Sequence, residues 1–282
     1  MGGGEAWLPV VSFKRVFDKV PLGERLSLGS LVAALRGFEV KVETAQAVER
    51  ELARVARALD AILTGAEADG PAAITLRKAR ATALAAGGDP DAVVRAAAER
   101  LQADARREAK RDLRLWSPAV YRAGAERGSD GVLAVGALVL DFDHSPDPAA
   151  LVADFEGWFH VLHTTWSHTE VRPRLRLVVP LAQVIDAADQ PAAWAWADAR
   201  VGGGADPAGK GLAATFALPA VPSAATPHRA WVNAGPLLHP EELGVFAGET
   251  AVVHLPVGPL PDSPFRRDDP RYAWVGEGPR PA

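Results

Sequence analysis

The stretch Gly131-Val132-Leu133-Ala134-Val135-Gly136-Ala137-Leu138-Val139-Leu140-Asp141-Phe142-Asp143-His144 constrains this chain more than any other. An apolar, β-rich run stops on two aspartates. Apolar residues bounded by turn signals suit a buried strand, although periodicity alone leaves a short helix open. On a strand, residues i and i+2 project from one face, so Asp141 and Asp143 point together off the carboxyl end. Two adjacent carboxylates repel, and a hard divalent cation relieves that repulsion with oxygen ligands. The plain alternative is a solvated strand end or two helix-capping aspartates.

At 282 residues the chain makes one large domain or about two ordinary ones. A net charge of −4 gives no global basic field, so any polyanion site is a local patch. There is no cysteine, which excludes disulfides, thiolate metal sites and cysteine nucleophiles. Met1-Gly2-Gly3-Gly4-Glu5 has no signal-peptide pattern and no apolar run reaches the length of a membrane span. The expectation is a cytoplasmic protein with no membrane partner.

Ala6 to Phe17 reads as a short strand and its exit, and Leu26 to Leu35 as a short helix. From Glu43 to Leu63, Val48, Leu52, Val55, Leu59 and Ile62 recur at spacings of four and three, the seam of an amphipathic helix. A second helix runs from Ile74 to Ala86, and Asp89-Pro90 starts a third that extends towards Lys110. Residues 43–112 therefore read as a helical insertion or subdomain. It separates an N-terminal part, 1–42, from an α/β core, 113–255, to which that part belongs as one domain. A proline-rich tail follows at 256–282.

Within the core, Asp147-Pro148 caps a helix whose apolar face runs through Leu151, Val152, Phe155, Trp158 and Phe159. Strand, loop and helix in that order put the aspartates at a carboxyl edge, where α/β folds bind ligands. A strand at Phe159 to Thr165 leads to Ser167-His168-Thr169, and a third strand opens with Arg174 and Arg176 on one face. Guanidinium forks suit phosphate oxygens, and that is the reading taken for this pair. For Arg172 an exposed arginine paired with nearby acids is favoured. Asp189 to Arg200 is a helix, and Ala213 to Leu218 a fourth strand. Asp206 follows three glycines and precedes Lys210, adding a third carboxylate beside a strand. Two aspartates from one strand and a third from elsewhere form the oxygen set of a two-metal phosphoryl-transfer site.

The series Trp116-Ser117-Pro118, Leu138-Val139-Leu140-Asp141-Phe142-Asp143, Thr165-Trp166-Ser167-His168-Thr169, Pro173-Arg174-Leu175-Arg176-Leu177-Val178-Val179-Pro180-Leu181, Asp206-Pro207 and Leu218-Pro219 resembles the archaeo-eukaryotic primase superfamily. The likeness is to the primase-polymerase domains of plasmids and prophages, and it spans about 110–245. The resemblance implies an α/β (α+β) core built around an RNA-recognition-like sheet. It implies template-dependent nucleotidyl transfer in replication of a mobile element, with Asp141, Asp143 and Asp206 catalytic and holding Mg²⁺ or Mn²⁺. Ser167, His168, Arg174, Arg176 and Lys210 would contact the nucleotide. The partners implied are nucleoside triphosphates, a single-stranded DNA template and a helicase supplied in trans. The sequence departs from the family pattern before Leu218-Pro219, where Phe216 supplies the aromatic but the arginine is absent.

That departure motivates a second reading, a replication-initiation or DNA-binding module with weak or no catalysis. A third is a haloacid-dehalogenase-like phosphatase with Asp141 as nucleophile, although position 145 is Ser145 and the later acidic pair, Asp268-Asp269, lacks a preceding apolar strand. In the helical region, Arg107 and Arg111 are candidate template contacts. The plainer account of them is a solvated helix face with acid–base pairs three or four residues apart.

Overall fold

A computed structural model of the protein describes residues 7–13, 18–144, 147–245 and 272–274. The chain forms two compact units, Lys41–Asp112 and a second built from Met1–Val40 with Leu113–Ala282. Ser145, Asp268 and Asp269 lie outside the described residues, as does the tail 256–282 except for its strand at 272–274.

In the second unit β1 (Trp7–Phe13) pairs antiparallel with β2 (Leu22–Ser27). The helix expected from Leu26 starts two residues later, as α1 (Leu28–Arg36). Leu26 is wholly buried in β2, and the Ser27 hydroxyl accepts from the Ser30 N–H at 3.1 Å. A serine in that position satisfies one of the free N–H groups of the first turn. β3 (Gly37–Val40) follows directly.

The helical unit comprises α2 (Val42–Thr64), α3 (Pro71–Ala85) and α4 (Pro90–Ala109). α2 ends on Gly65 at φ 76°, a left-handed conformation that glycine adopts without strain. Asp89 caps α4 by accepting from the N–H groups of Asp91 and Ala92. Val55, Ile62, Leu76 and Val94 supply the large side chains of the core and Ala58, Ala73 and Ala98 fill the rest. Each large side chain contributes about 1.5–3 kcal/mol by burial. Arginine–carbonyl bonds tie α3 to the preceding segments, Arg80 to Ile62 and Arg77 to Ala68, each at 2.6 Å.

The chain continues through β4 (Leu115–Ser117), β5 (Ala119–Tyr121), β6 (Val132–Phe142), α5 (Pro148–Asp154), β7 (His160–Thr164), β8 (Leu175–Asp186) and α6 (Gln190–Arg200). Then come β9 (Phe216–Ala217), β10 (Ala220–Val221), β11 (Ala230–Asn233) and β12 (Tyr272–Trp274). The architecture is mixed α/β. Three sheets are described, ordered β2-β1-β4-β9, β10-β3-β12 and β11-β7-β8-β6-β5.

The third sheet is antiparallel throughout. Its β6–α5–β7–β8–α6 succession, with β8 between β6 and β7, is the split arrangement of ferredoxin-like and RNA-recognition-like sheets. One face of β6 carries Leu138, Leu140 and Phe142 into a core with Leu151 and Phe155 and with Ala193 and Ala197 of α6. The other face carries Ala137 and Val139 into a core with Leu8, Val10 and Trp116 of the first sheet and Leu31 and Leu35 of α1. A strand buried on both faces reads as a continuous apolar run, which is why β6 stood out in the sequence.

Three further local expectations change. The helix traced to Phe159 ends at Asp154, because Trp158 and Phe159 belong to the turn into β7. The buried His160 ring holds that turn, its Nδ1 lying 3.2 and 3.1 Å from the carbonyls of Phe155 and Trp158. The strand expected over Ala213–Leu218 shrinks to two residues, since Gly211 to Ala214 is drawn into a turn by an Ala214 N–H bond to the Gly211 carbonyl at 2.9 Å. The aspartate pair sits on an antiparallel sheet, so the carboxyl end of β6 meets the amino end of β8 rather than a crevice of parallel strands.

Candidate functional site

The antiparallel register of β6 and β8 places Asp141 opposite Arg176 and Phe142 opposite Leu175. Extended one step, the ladder sets Asp143 beside Arg174. The alternation that puts Asp141 and Asp143 on one face also puts Arg174 and Arg176 there, and the four side chains form two ion pairs. Arg176 donates Nε to Asp141 Oδ1 at 2.6 Å and Nη2 to Oδ2 at 2.9 Å, while its Nη1 donates to the Ala217 carbonyl. Arg174 Nη1 lies 2.7 Å from Asp143 Oδ2. The repulsion within Asp-x-Asp is thus relieved by an arginine pair at matching spacing.

The loop between β7 and β8 brings up His168. Its Nδ1 accepts from the Arg174 N–H at 3.2 Å, and its backbone N–H donates to the Thr165 carbonyl at 2.9 Å. Burial, and then the charge of Arg229, lowers the His168 pKa, with Glu170 opposing. Ser167 is half-buried on the same turn. Asp206 joins through its backbone, its N–H donating to the Asp141 carbonyl at 2.7 Å, while its Oδ1 caps the turn Pro207–Lys210 by accepting from the Ala208 N–H at 2.9 Å. Lys210, at the end of that turn, is exposed.

Asp141, Asp143, His168, Arg174, Arg176 and the Asp206 backbone therefore form one hydrogen-bonded cluster drawn from four parts of the chain. Arg107 and Arg111 belong to the helical unit, where they pair with Asp104 at 3.0 Å and Glu108 at 2.5 Å.

Carboxylate oxygens are the donor type that Mg²⁺ and Mn²⁺ take, so the set Asp141, Asp143 and Asp206 fits a hard divalent ion in chemistry. Its present partners are guanidiniums and a backbone N–H. Among the described residues, no three acidic or histidine side chains are grouped to hold an ion.

Two residues beside the cluster carried no motif. His163 lies opposite Arg176 on β7 and is wholly buried. Its Nδ1 bonds the Thr164 carbonyl at 2.8 Å, and its Nε2 has no partner among the described residues. Burial, and then the Arg176 charge, lowers its pKa to about 4. A histidine opposite a same-face arginine is the signal that would have found it, once the strand register was known. Arg229, just before β11, follows Pro227 and His228 with no pattern that marks it.

No protein-family model matches the chain, and no curated protein matches it. Among solved structures it is similar to the cyanophage S-2L primase-polymerase (PrimPol), AEP domain, at 14% identity and a TM-score of 0.35, over 46% of this chain and 68% of that one. At this TM-score the likeness carries no functional inference, which rests instead on the residues of the cluster.

Proposed function

We propose that the chain is a primase-polymerase, joining nucleotides on a single-stranded nucleic-acid template. The observation that supports this is the convergence of Asp141, Asp143, His168, Arg174 and Arg176 into one hydrogen-bonded cluster, with Asp206 anchored to Asp141 through its backbone. Nucleotidyl transfer needs acidic groups and phosphate-binding cations within one nucleotide's length of each other. The cluster supplies both.

In this reading Asp141, Asp143 and Asp206 would hold Mg²⁺ or Mn²⁺, which supplies charge neutralisation at the triphosphate. Arg174 is the arginine of the pair with room for a phosphate. Its side chain is 22% exposed, against 8% for Arg176. Arg176, whose Nε, Nη1 and Nη2 all have acceptors, orients Asp141. His168, with Nδ1 accepting from the backbone, carries its neutral-form proton on Nε2 and can donate it to a phosphate oxygen. Ser167 and Lys210 border the cluster as further nucleotide contacts, and a helicase would act in trans.

One observation favours the second reading, a DNA-binding module with little catalysis. The Arg176 fork occupies both oxygens of Asp141. The same fork weighs against a phosphatase nucleophile at Asp141. The test is incubation with a single-stranded template, all nucleotides and Mn²⁺ or Mg²⁺. Synthesis that disappears in Asp143→Ala supports the polymerase. Template binding without synthesis selects the binding module.

A further inference from the structure

Arg229 is a cation beside the cluster that the motif series leaves out. Its backbone is fixed on both sides: its N–H donates to Thr164 Oγ1 at 3.1 Å and its carbonyl accepts from the Thr164 N–H at 3.0 Å. The next residue, Thr165, donates to the Arg174 carbonyl at 3.0 Å, and the Arg174 N–H donates to His168 Nδ1. Arg229, Arg174 and His168 are thus all tied to the pair Thr164-Thr165, the last through its backbone N–H to the Thr165 carbonyl at 2.9 Å, and the His168 ring is turned onto the Arg174 N–H. Unlike Arg174 and Arg176, Arg229 is exposed and has no acidic partner among the described residues.

The charge acts on the site nonetheless, since it is the second cause, after burial, of the lowered His168 pKa. A guanidinium placed where it disfavours a second cation has no stabilising acidic counterpart among the described residues. What satisfies the arrangement is an anion that accepts from both the guanidinium and the His168 Nε2–H.

We infer that Arg229 and His168 together bind a phosphate group, with Arg229 as a phosphate ligand that none of the sequence motifs contains. Two sources share this chemistry: the polyphosphate of a nucleoside triphosphate and the backbone of a single strand. The inference deepens the proposed function and rests on it only for the source of the phosphate.

The test is calorimetric titration of the full chain in metal-free buffer, with inorganic tripolyphosphate in one arm and a short single-stranded oligodeoxynucleotide in the other. Removing one charged hydrogen-bond donor from an anion site weakens binding about tenfold to a hundredfold. Arg229→Ala should lose that much for tripolyphosphate, and Arg229→Lys should recover part of it. Arg172→Ala is the control, an exposed arginine on the neighbouring turn whose charge is not among the causes acting on His168. It should leave the affinity unchanged.

Nuclear magnetic resonance titration of His168 gives a second readout, of proximity: its pKa should rise in Arg229→Ala, as it would not for an arginine remote from the ring. If the alanine protein unfolds, Arg229→Gln replaces it. Loss confined to the oligonucleotide arm keeps the anion pair and assigns it to the strand backbone. Parent-like affinity of Arg229→Ala in both arms overturns the inference whatever the His168 titration shows, and so does a parent that binds neither probe. Template-directed synthesis is scored separately, so a parent that synthesises normally with Arg229 silent sinks this inference alone. A parent that binds phosphate through Arg229 but never synthesises sinks only the polymerase.

Discussion

Asp141 and Arg176 face each other across β6 and β8 in a two-pronged ion pair, with donor–acceptor distances of 2.6 and 2.9 Å. The guanidinium carbon also lies 5.0 Å from the centroid of the Phe216 ring, so the pair joins β6, β8 and β9 at one point. Only 8% of the Arg176 side chain and 24% of Asp141 are exposed. Removing one partner leaves the other charge largely out of water, and Arg176→Ala should lower the unfolding free energy by about 3 kcal/mol. The Arg174–Asp143 pair, at 22% and 40% exposure, is screened. Arg174→Ala should cost about 1 kcal/mol or less. Urea denaturation of both variants checks this, and equal losses would remove the Arg176 fork as the anchor of the strand ends.

Gly235 is set by backbone proximity rather than by its own conformation. A Cβ there would stand 2.9 Å from the Trp158 carbonyl carbon and 3.1 Å from the Phe159 nitrogen. Phe159 cannot move aside freely, because its N–H donates to the Pro236 carbonyl at 2.7 Å. Gly235→Ala should therefore cost about 1–3 kcal/mol through overpacking. Gly157→Ala, with nothing within 4 Å of the added carbon, is the control in thermal unfolding. Similar melting temperatures for the two variants would count against the close approach.

What could be read from the sequence follows the physics of each signal. The sequence places α2, α3 and α4 within three residues at either end, because Gly65 and Asp89-Pro90 are explicit stop and start signals and the apolar seam of α2 repeats over about four turns. β6 was visible because both its faces are buried. β9 and β10 have two residues each, too few to show any period, and the pairing of β6 with β8 depends on distant contacts. The spacing of Asp141 and Asp143 and that of Arg174 and Arg176 were both plain. That the two meet each other was not, because register is a property of the sheet and not of either strand. His163 on β7 and Arg229, just before β11, come beside the cluster only through strand pairing, so no local pattern announced them.

Arg107 and Arg111 offer a direct distinction between a template track and a solvated helix face. Each is paired three residues back along the chain, with Asp104 and Glu108. Two arginines that contacted single-strand phosphates would flatten the log–log salt slope of binding by about 1.4 when reversed, at about 0.7 per phosphate. The acid pairs lead us to expect that the double variant Arg107→Glu, Arg111→Glu keeps the parent's slope. Oligonucleotide titrations at several salt concentrations measure it, and a flattening near 1.4 would make these arginines template contacts.

His163 should leave a signature in the acid limb of stability. The imidazole is buried opposite Arg176 with only its Nδ1 bonded, and burial followed by the Arg176 charge brings its pKa from 6.5 to about 4, against opposing pulls from the Thr164 carbonyl and Asp141. The unfolded chain, with histidine near 6.5, binds the proton more readily than the folded one across this interval. The neutral form's advantage is therefore fully present above about pH 6.5 and is lost as the pH falls towards 4. The slope is about 1.36 kcal/mol per pH unit, or roughly 3 kcal/mol in all. His160 and His168, whose pKa values are also lowered, act in the same direction, so a difference measurement is required. His163→Asn keeps a donor for the Thr164 carbonyl and cannot titrate in this range. Its urea-denaturation midpoint should fall less steeply than the parent's between pH 6.5 and 4, with the two curves diverging most in the lower half of the interval. Parallel curves would mean that His163 takes up its proton in the folded protein as readily as in the unfolded chain, and that Arg176 does not hold it neutral.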